Sequence, residues 1–441
     1  MKHFFFFFTL LLALSACNKN GVIGGQEQFP ENVDIQHLIS TEHAIGHVKM
    51  IVGTLNDVAL TKSGSFEYET KVITKYLNVN FTNFSKSEAS YRDSVRVPLY
   101  LIGLADKKSA QKSTVLFIGD DRLNNPFVAF SKNKKFNPFE IPGFEGFFVN
   151  NLKSYIQDEL EQATFLSRNI TPPPGYRYCY AASNYRLEVE NVKGPLINVS
   201  WDHWASPMND STGLCTTTGL PAKAGCVAVA TTHLLSFYKY PTSGFYKHPR
   251  FARPVTTTYN WNLMTSVYDP TQTQNTTIRT MIANIHAEVG YRLPVSYNCN
   301  GSSAFFEDIS ACLGLLGYSY GGTYVSNISL YPAILRNEVD ANRPVLMFGI
   351  DSQNAGHAWA LDGYKIISIE KGIIYYCFRD GNYGPIHDLE IYEPEDNREV
   401  NIYYHCRLGW GPSNDGYFLT TTVTGSRGTY NATKALIGVQ K

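Results

Sequence analysis

Between residues 32 and 163 short apolar runs alternate with polar breaks. STVLFIGDDR (113–122) and PFVAFSKNKKF (126–136) read as strands, and NNLKSYIQDELEQA (150–163) carries the three-to-four spacing of an amphipathic helix. ITPPPGYRY (170–178) cannot be helical, because each proline fixes φ and pushes the residue before it into extended backbone. Such a stretch suits a stiff linker. Helical periodicity returns over Cys226–Tyr238, Thr276–Val289 and Pro332–Ala341, the last with proline in its first turn. In the first of these, Val227, Ala230, Leu234 and Phe237 share one face, which is predicted to be buried. Strand patterns dominate from VLMFGI (345–350) onward. The pattern predicts an α+β chain with a small α+β block over 30–165, a linker over 166–182, and a larger unit over 183–441 whose helices precede its strands.

The opening, MKHFFFFFTLLLALSAC, has a basic start, an apolar run too short for a stable bilayer span, and small residues before a cysteine. It resembles a bacterial lipoprotein signal. That resemblance implies Leu14, Ser15 and Ala16 as the recognition box, removal of what precedes Cys17, and lipidation of Cys17. The expected location is the bacterial cell envelope, on the outer membrane or the cell surface, with membrane contact through the lipid anchor and release after maturation as a variant. No later apolar run is long enough to cross a bilayer.

Composition narrows the partners. Lys plus Arg equals Asp plus Glu at 38 each, charged residues are 17%, and no basic stripe exists, so nucleic acid is excluded as a partner. No Cys-x-x-Cys or His-Glu-x-x-His spacing occurs, and His43 with His47 lacks further ligands, so neither a metal nor a cofactor is expected. Of the eight cysteines, six remain after Cys17 and Cys226 are set aside: Cys179, Cys215, Cys299, Cys312, Cys377 and Cys406. An exported chain can bridge some of them or leave them as buried thiols, and spacing does not give the connectivity.

The candidate chemistry centres on Cys226, which follows a glycine at a helix start. Unpaired N–H groups and the positive end of the macrodipole favour a thiolate there. A cysteine nucleophile needs an imidazole to hold its proton and pass it to the leaving amine. His357, in NAGHAWALDGY, follows VLMFGI and is bracketed by Gly356 and Gly363, as suits a base at a sheet edge beside open space. His233, on the helix of Cys226, reads as structural.

GCVAVATTHLLSFYKYP, GHAWALDGY and HCRLGWGPSNDGYF, in this order, resemble the streptopain family of papain-like cysteine peptidases. NCNGSSAFFEDISACLGLLGYS and ILRNEVDANRPVLMF resemble its connecting regions, and the 30–165 block resembles its pro-segment. The resemblance implies a papain-like peptidase domain, with a helical half and an antiparallel β half flanking the cleft, preceded by a small α+β pro-domain that blocks the site as an intramolecular inhibitor. It assigns Cys226 as nucleophile and His357 as general base and acid. It implies an exported cysteine endopeptidase, made as a zymogen, that hydrolyses protein or peptide substrates through a thioester and prefers an apolar residue two positions before the cut.

Two departures stand out. Aligning His405, Gly409, Trp410 and Gly411 with the family's base-orienting segment puts Arg407 where the family has Asn and Leu408 where it has Trp. A guanidinium has five donors and no acceptor, so it cannot take the imidazole N–H, and its charge opposes imidazolium formation. Either a backbone carbonyl or water orients His357 with Arg407 swung to solvent, or the chain is a silent peptidase-like binding or inhibitory lipoprotein. In SWDHWASPMN, His203 stands where relatives carry a Gln, which makes it the oxyanion-hole candidate beside the backbone N–H of Cys226. A transferase or deamidase on the same scaffold is a further alternative, since one dyad serves any acyl transfer.

Overall fold

The alternating runs of the N-terminal block form an antiparallel meander. In this computed structural model the described residues are 37–55, 68–80, 94–107, 112–133, 135–162, 174–176, 178–248, 251–264, 276–351, 354–378, 389–424 and 433–441. The predicted signal, Cys17 and most of the predicted linker lie outside them. Helix α1 (Thr41–Leu55) precedes strands β1 (Tyr68–Asn80), β2 (Ser94–Asp106), β3 (Lys112–Ile118) and β4 (Phe127–Ser131), and helix α2 (Glu145–Gln162) follows. Each strand pairs antiparallel with the next.

The C-terminal part opens with β5 (Tyr178–Lys193). This strand runs across the predicted boundary at 182/183, because the prolines end at Pro174 and the sequence then alternates, with Tyr185 buried and Arg186, Glu188 and Glu190 exposed. Helix α3 (Cys226–Tyr238) has the predicted limits. Hairpin β6 (Ser243–Lys247) and β7 (Pro254–Thr258), α4 (Trp261–Met264), α5 (Thr276–Arg292), α6 (Ile309–Leu315), β8 (Thr323–Ser326) and α7 (Pro332–Asp340) complete the helical half. The β half comprises β9 (Val345–Ile350), β10 (Gly356–Phe378), β11 (Leu389–Arg407), β12 (Gly416–Leu419) and β13 (Thr433–Ile437), with the short α8 (Thr420–Thr424) after β12.

One sheet joins the two parts, in the order β1-β2-β3-β4-β12-β11-β10-β9-β13-β8, with β5 on β10. The seam is β4 against β12, where Phe130 pairs with Tyr417 and Ala129 with Phe418. The apolar faces therefore form one core across the seam: Phe117, Phe144 and Phe148 from the first block pack with Trp359, Tyr403 and Phe418 from the β half. Each such side chain contributes roughly 2–3 kcal/mol through burial. A second core surrounds α3, with Val229, Leu234, Ile285, Leu313 and Ala358.

Helix α3 differs from the one-faced helix expected. Every residue from Val227 to Ser236 is buried, and Phe237 is only half-buried. Its polar residues tolerate this because Thr231 and Thr232 donate to the carbonyls of Val227 and Ala228 at 2.8 and 2.7 Å. The helix follows Gly225, at φ 89°, and ends at Lys239 in the left-handed region, whose N–H returns to the Leu235 carbonyl.

The cysteines divide. Cys215 is bridged to Cys299, and Cys377 is disulfide-bonded and has Cys179 as its register partner on β5. Cys312 and Cys406 are buried free thiols.

Burial also sets the acid limit of the fold. It lowers His47, His286 and His357 to about 4 and His233 to about 3. Between these values and 6.5 the unfolded chain binds more protons than the folded one, so stability falls as pH falls through that window. Each group removes up to about 1.4 kcal/mol per pH unit. Glu159, raised by burial to about 7, acts in the opposite sense over the same window, so we expect the melting temperature to fall between pH 6.5 and 4 by the excess of the four rings, and a rise in calorimetry across that range would contradict their burial.

Candidate active site

The approach to α3 is fixed from three sides. The His286 Nε2–H donates to the Ala224 carbonyl at 3.2 Å, Ala224 N donates to the His203 carbonyl at 2.9 Å, and Ser302 Oγ donates to the Lys223 carbonyl at 2.6 Å. A side chain at Gly225 would meet Ser302 at 3.3 Å, which with its positive φ explains glycine before the nucleophile. Cys226 is half-buried, and the N–H groups of Ala358, Val227 and Cys226 itself act on its sulfur. Ala358 directly follows His357, so the thiol lies against the strand that carries the predicted base.

The expectation of a thiolate at this helix start needs correction. Desolvation pushes the Cys226 thiol up, and it outweighs the opposite pull of the three N–H groups. The thiol is the stable form here.

His357 opens β10 opposite Gly349 of β9 and is buried. It is neither on a sheet edge nor beside open space. The turn between β4 and α2 fills that space: a side chain at Gly143 would begin 3.8 Å from His357 Nδ1, and the Phe144 ring stands edge-on at 6.1 Å between centroids. Gly143 sits at φ 77°, so both the close approach and the conformation call for glycine. Behind the turn, Phe144 and Phe147 pack on Trp359.

The far nitrogen of the imidazole answers the question raised by Arg407. His357 Nε2 lies 2.9 Å from the carbonyl oxygen of Leu408. A carbonyl only accepts, so Nε2 carries the proton and Nδ1 is free to take one. Burial lowers His357 to about 4, partly offset by this bond. A main-chain oxygen thus occupies the place of the missing Asn side chain.

Arg407 is not swung to solvent, where the first of the two alternatives placed it. Its Nε donates to Asp362 Oδ2 at 3.2 Å, its Nη1 to Asp415 Oδ2 at 3.0 Å, and its Nη2 to the Ile197 carbonyl. Asp362 and Asp415 are both buried, and Asp362 Oδ1 also takes the His405 Nδ1 contact at 2.5 Å. Two carboxylates therefore neutralise the guanidinium. The tight pairing with distant aspartates is why it stays inside.

His203 reaches the site. Its backbone N donates to the Gly409 carbonyl at 2.9 Å, and its ring lies 6.2 Å from His357 and 3.9 Å from Trp410. Both ring nitrogens and Trp410 Nε1 are buried without a hydrogen-bond partner. Burial, then the neighbouring His357, Lys223 and His286, hold the His203 pKa well below its ordinary value. Trp410 packs on His203 and Trp204, so it walls the cleft and does not orient the base. His233 is structural, as expected: Nε2 accepts the Trp201 N–H at 3.0 Å, which anchors the extended segment leading to His203. Among the described residues no group of three or more His, Cys, Asp or Glu is placed to hold a metal.

A helix-borne thiol lying against the strand that carries a buried imidazole, where a helical half joins an antiparallel β half, is the arrangement of the papain-like class. Residues 201–418, just under half of the chain, match the model of the Peptidase C10 family, so the chain is similar there to the streptopain family of papain-like cysteine peptidases. It is 24% identical over 220 residues to streptopain of Streptococcus pyogenes, covering 45% of this chain and 46% of that protein. The chain thus matches about half the length of the curated relative. The fold is similar to that of a Prevotella intermedia prointerpain A fragment, with a TM-score of 0.50 and 16% identity over 83% of this chain and 99% of that one.

Proposed function

We propose that this chain is an exported cysteine endopeptidase made as a zymogen. The observation that carries the reading is the neutral carbonyl of Leu408 on His357 Nε2, with the Cys226 sulfur against the same strand. The Cys226 proton passes to His357 Nδ1, and the sulfur attacks the peptide carbonyl carbon. The oxyanion then sits toward the His203 ring and the Cys226 N–H. The imidazolium protonates the leaving amine, the C–N bond breaks and a thioester remains. Water, deprotonated by His357, attacks the thioester and releases the acid and the thiol.

The block from 30 to 165 acts as the intramolecular inhibitor, with the Gly143–Phe144 turn against the imidazole and the surrounding apolar core holding it there. Desolvation under that turn keeps base and nucleophile neutral. We assign anchoring at Cys17 and an envelope location on the resemblance of the opening segment. Incubation of the matured protein with denatured casein should give new peptide N-termini; modified side chains without fragments would reject peptidase action. His203→Ala should lower kcat about 10²-fold with little change in KM, the scale of one lost oxyanion donor, and His203→Gln should recover most of it. An unchanged kcat for His203→Ala would remove His203 from the oxyanion hole.

A further inference from the structure

Leu408 is held on both sides. Its N–H donates to Asp415 Oδ1 at 3.1 Å, and its carbonyl takes the His357 proton at 2.9 Å. The next residue, Gly409, turns at φ 75° and gives its carbonyl to His203 N at 2.9 Å. The chain between β11 and β12 is therefore pinned at successive groups, and the pin nearest the base is the Asp415 carboxylate.

Asp415 is itself fixed. Its Oδ2 accepts from Arg407 Nη1 at 3.0 Å and from Ser200 Oγ. Arg407 is fixed in turn by Asp362 Oδ2, which also accepts the Ile197 N–H at 2.9 Å. A largely covered guanidinium that spends three N–H groups on two carboxylates and a carbonyl has one low-energy placement, unlike a lysine ammonium on a flexible stem. We propose that Asp415 and Arg407, braced by Asp362, are positioning residues that aim the Leu408 carbonyl at His357 and so set the tautomer and direction of the catalytic imidazole. Arg407 thus replaces the Asn of related sequences indirectly: it holds the acceptor rather than being one. The proposal rests on reading His357 as the base.

The charges around the imidazole fit this role. Asp362 and Asp415 outnumber Arg407, His405 faces Asp362 rather than His357, and the neighbouring ring, His203, is neutral by burial. Moving the acceptor removes a partner of the imidazolium and leaves it easier to deprotonate.

The test compares matured full-length protein carrying Asp415→Asn, Asp415→Glu or Arg407→Lys, with activity normalised to titrated thiol. We expect kcat to fall on the order of 10- to 100-fold with KM changed less than about twofold, because a displacement of about 1 Å at a catalytic group costs that much. The basic limb of kcat/KM should move to lower pH. Glu338→Gln, which weakens the part-buried pair with Arg343 (2.8 Å), supplies a control of lowered stability with the pH profile unchanged. Should Asp415→Asn fail to accumulate, Asp415→Glu keeps the charge and displaces the carboxylate by one methylene. Wild-type kcat per thiol and an unmoved pH limb in the Asp415 and Arg407 variants, with His357→Ala inactive, would overturn the positioning role and leave the base assignment standing. Retained activity in His357→Ala would overturn both.

Discussion

Cys226→Ala and His357→Ala should each lower casein turnover by roughly 10³- to 10⁶-fold, and the double variant should be no worse than either alone, as for residues that act as a unit. Both variants should fold. Cys226 is half-buried, and the alanine loses only one sulfur at the cleft surface. The His357 ring donates to a main-chain carbonyl, so its removal frees one acceptor and leaves no buried charge behind. Circular dichroism and steady-state kinetics on the matured proteins decide the matter. A loss below tenfold for either variant would exclude a thiol–imidazole mechanism. If maturation is self-catalysed, the same variants should remain full length, while the active chain should acquire a new N-terminus between Gln162, which ends α2, and Tyr178, which begins β5.

The second large effect concerns the state of the thiol before maturation. In the uncut chain Cys226 is raised above its ordinary value near 9, and His357 is lowered to about 4. A thiol at or above 9 is roughly 1% ionised or less at pH 7, and a base at about 4 gives almost no imidazolium there to assist it. Iodoacetamide should therefore label Cys226 slowly at neutral pH in the uncut chain, with a single inflection above pH 9. Once the Gly143–Phe144 turn leaves, water returns to the imidazole and the ion pair becomes accessible. Labelling at pH 7 should then accelerate at least tenfold, with an inflection well below pH 7. Rapid labelling of the uncut chain at pH 7 would show that burial by the turn does not control the pair.

The parts of the site that sequence disclosed are those whose side chains announce their chemistry. A cysteine after glycine at a helix start and a histidine opening a strand are both legible, and α3 and β9 have the limits their periodicity predicts. A backbone carbonyl was one of the acceptors left open for His357, but that it is Leu408's was not legible, because a main-chain oxygen leaves no mark in residue identity. Asp415 and Asp362 stood inside the quoted motifs, yet their role depends on partners brought close only by the fold. Arg407 read alone looks damaging; read with both aspartates it is neutralised. The strand β5 was hidden by the prolines before it, and the all-round burial of α3 by two threonines that satisfy their hydroxyls within the helix. Gly143 and Phe144 carried no local signal of contact with a histidine more than two hundred residues away.

The Cys215–Cys299 bridge has a practical bearing on handling this protein. It closes an 84-residue loop that contains the nucleophile and ties together the two segments flanking Lys223 and Ser302, the supports of the turn into α3. One sulfur chemistry must therefore stay oxidised while another, eleven positions further on, must stay reduced. Cys215 is shielded, but Cys299 is half-buried like Cys226, so access alone does not spare the bridge, and the reductant is best kept to the mildest that still regenerates the nucleophile. Strong dithiols, the habitual additive for thiol enzymes, would slacken the cleft wall, and preparations kept in them would lose turnover through geometry while every active-site thiol still titrates.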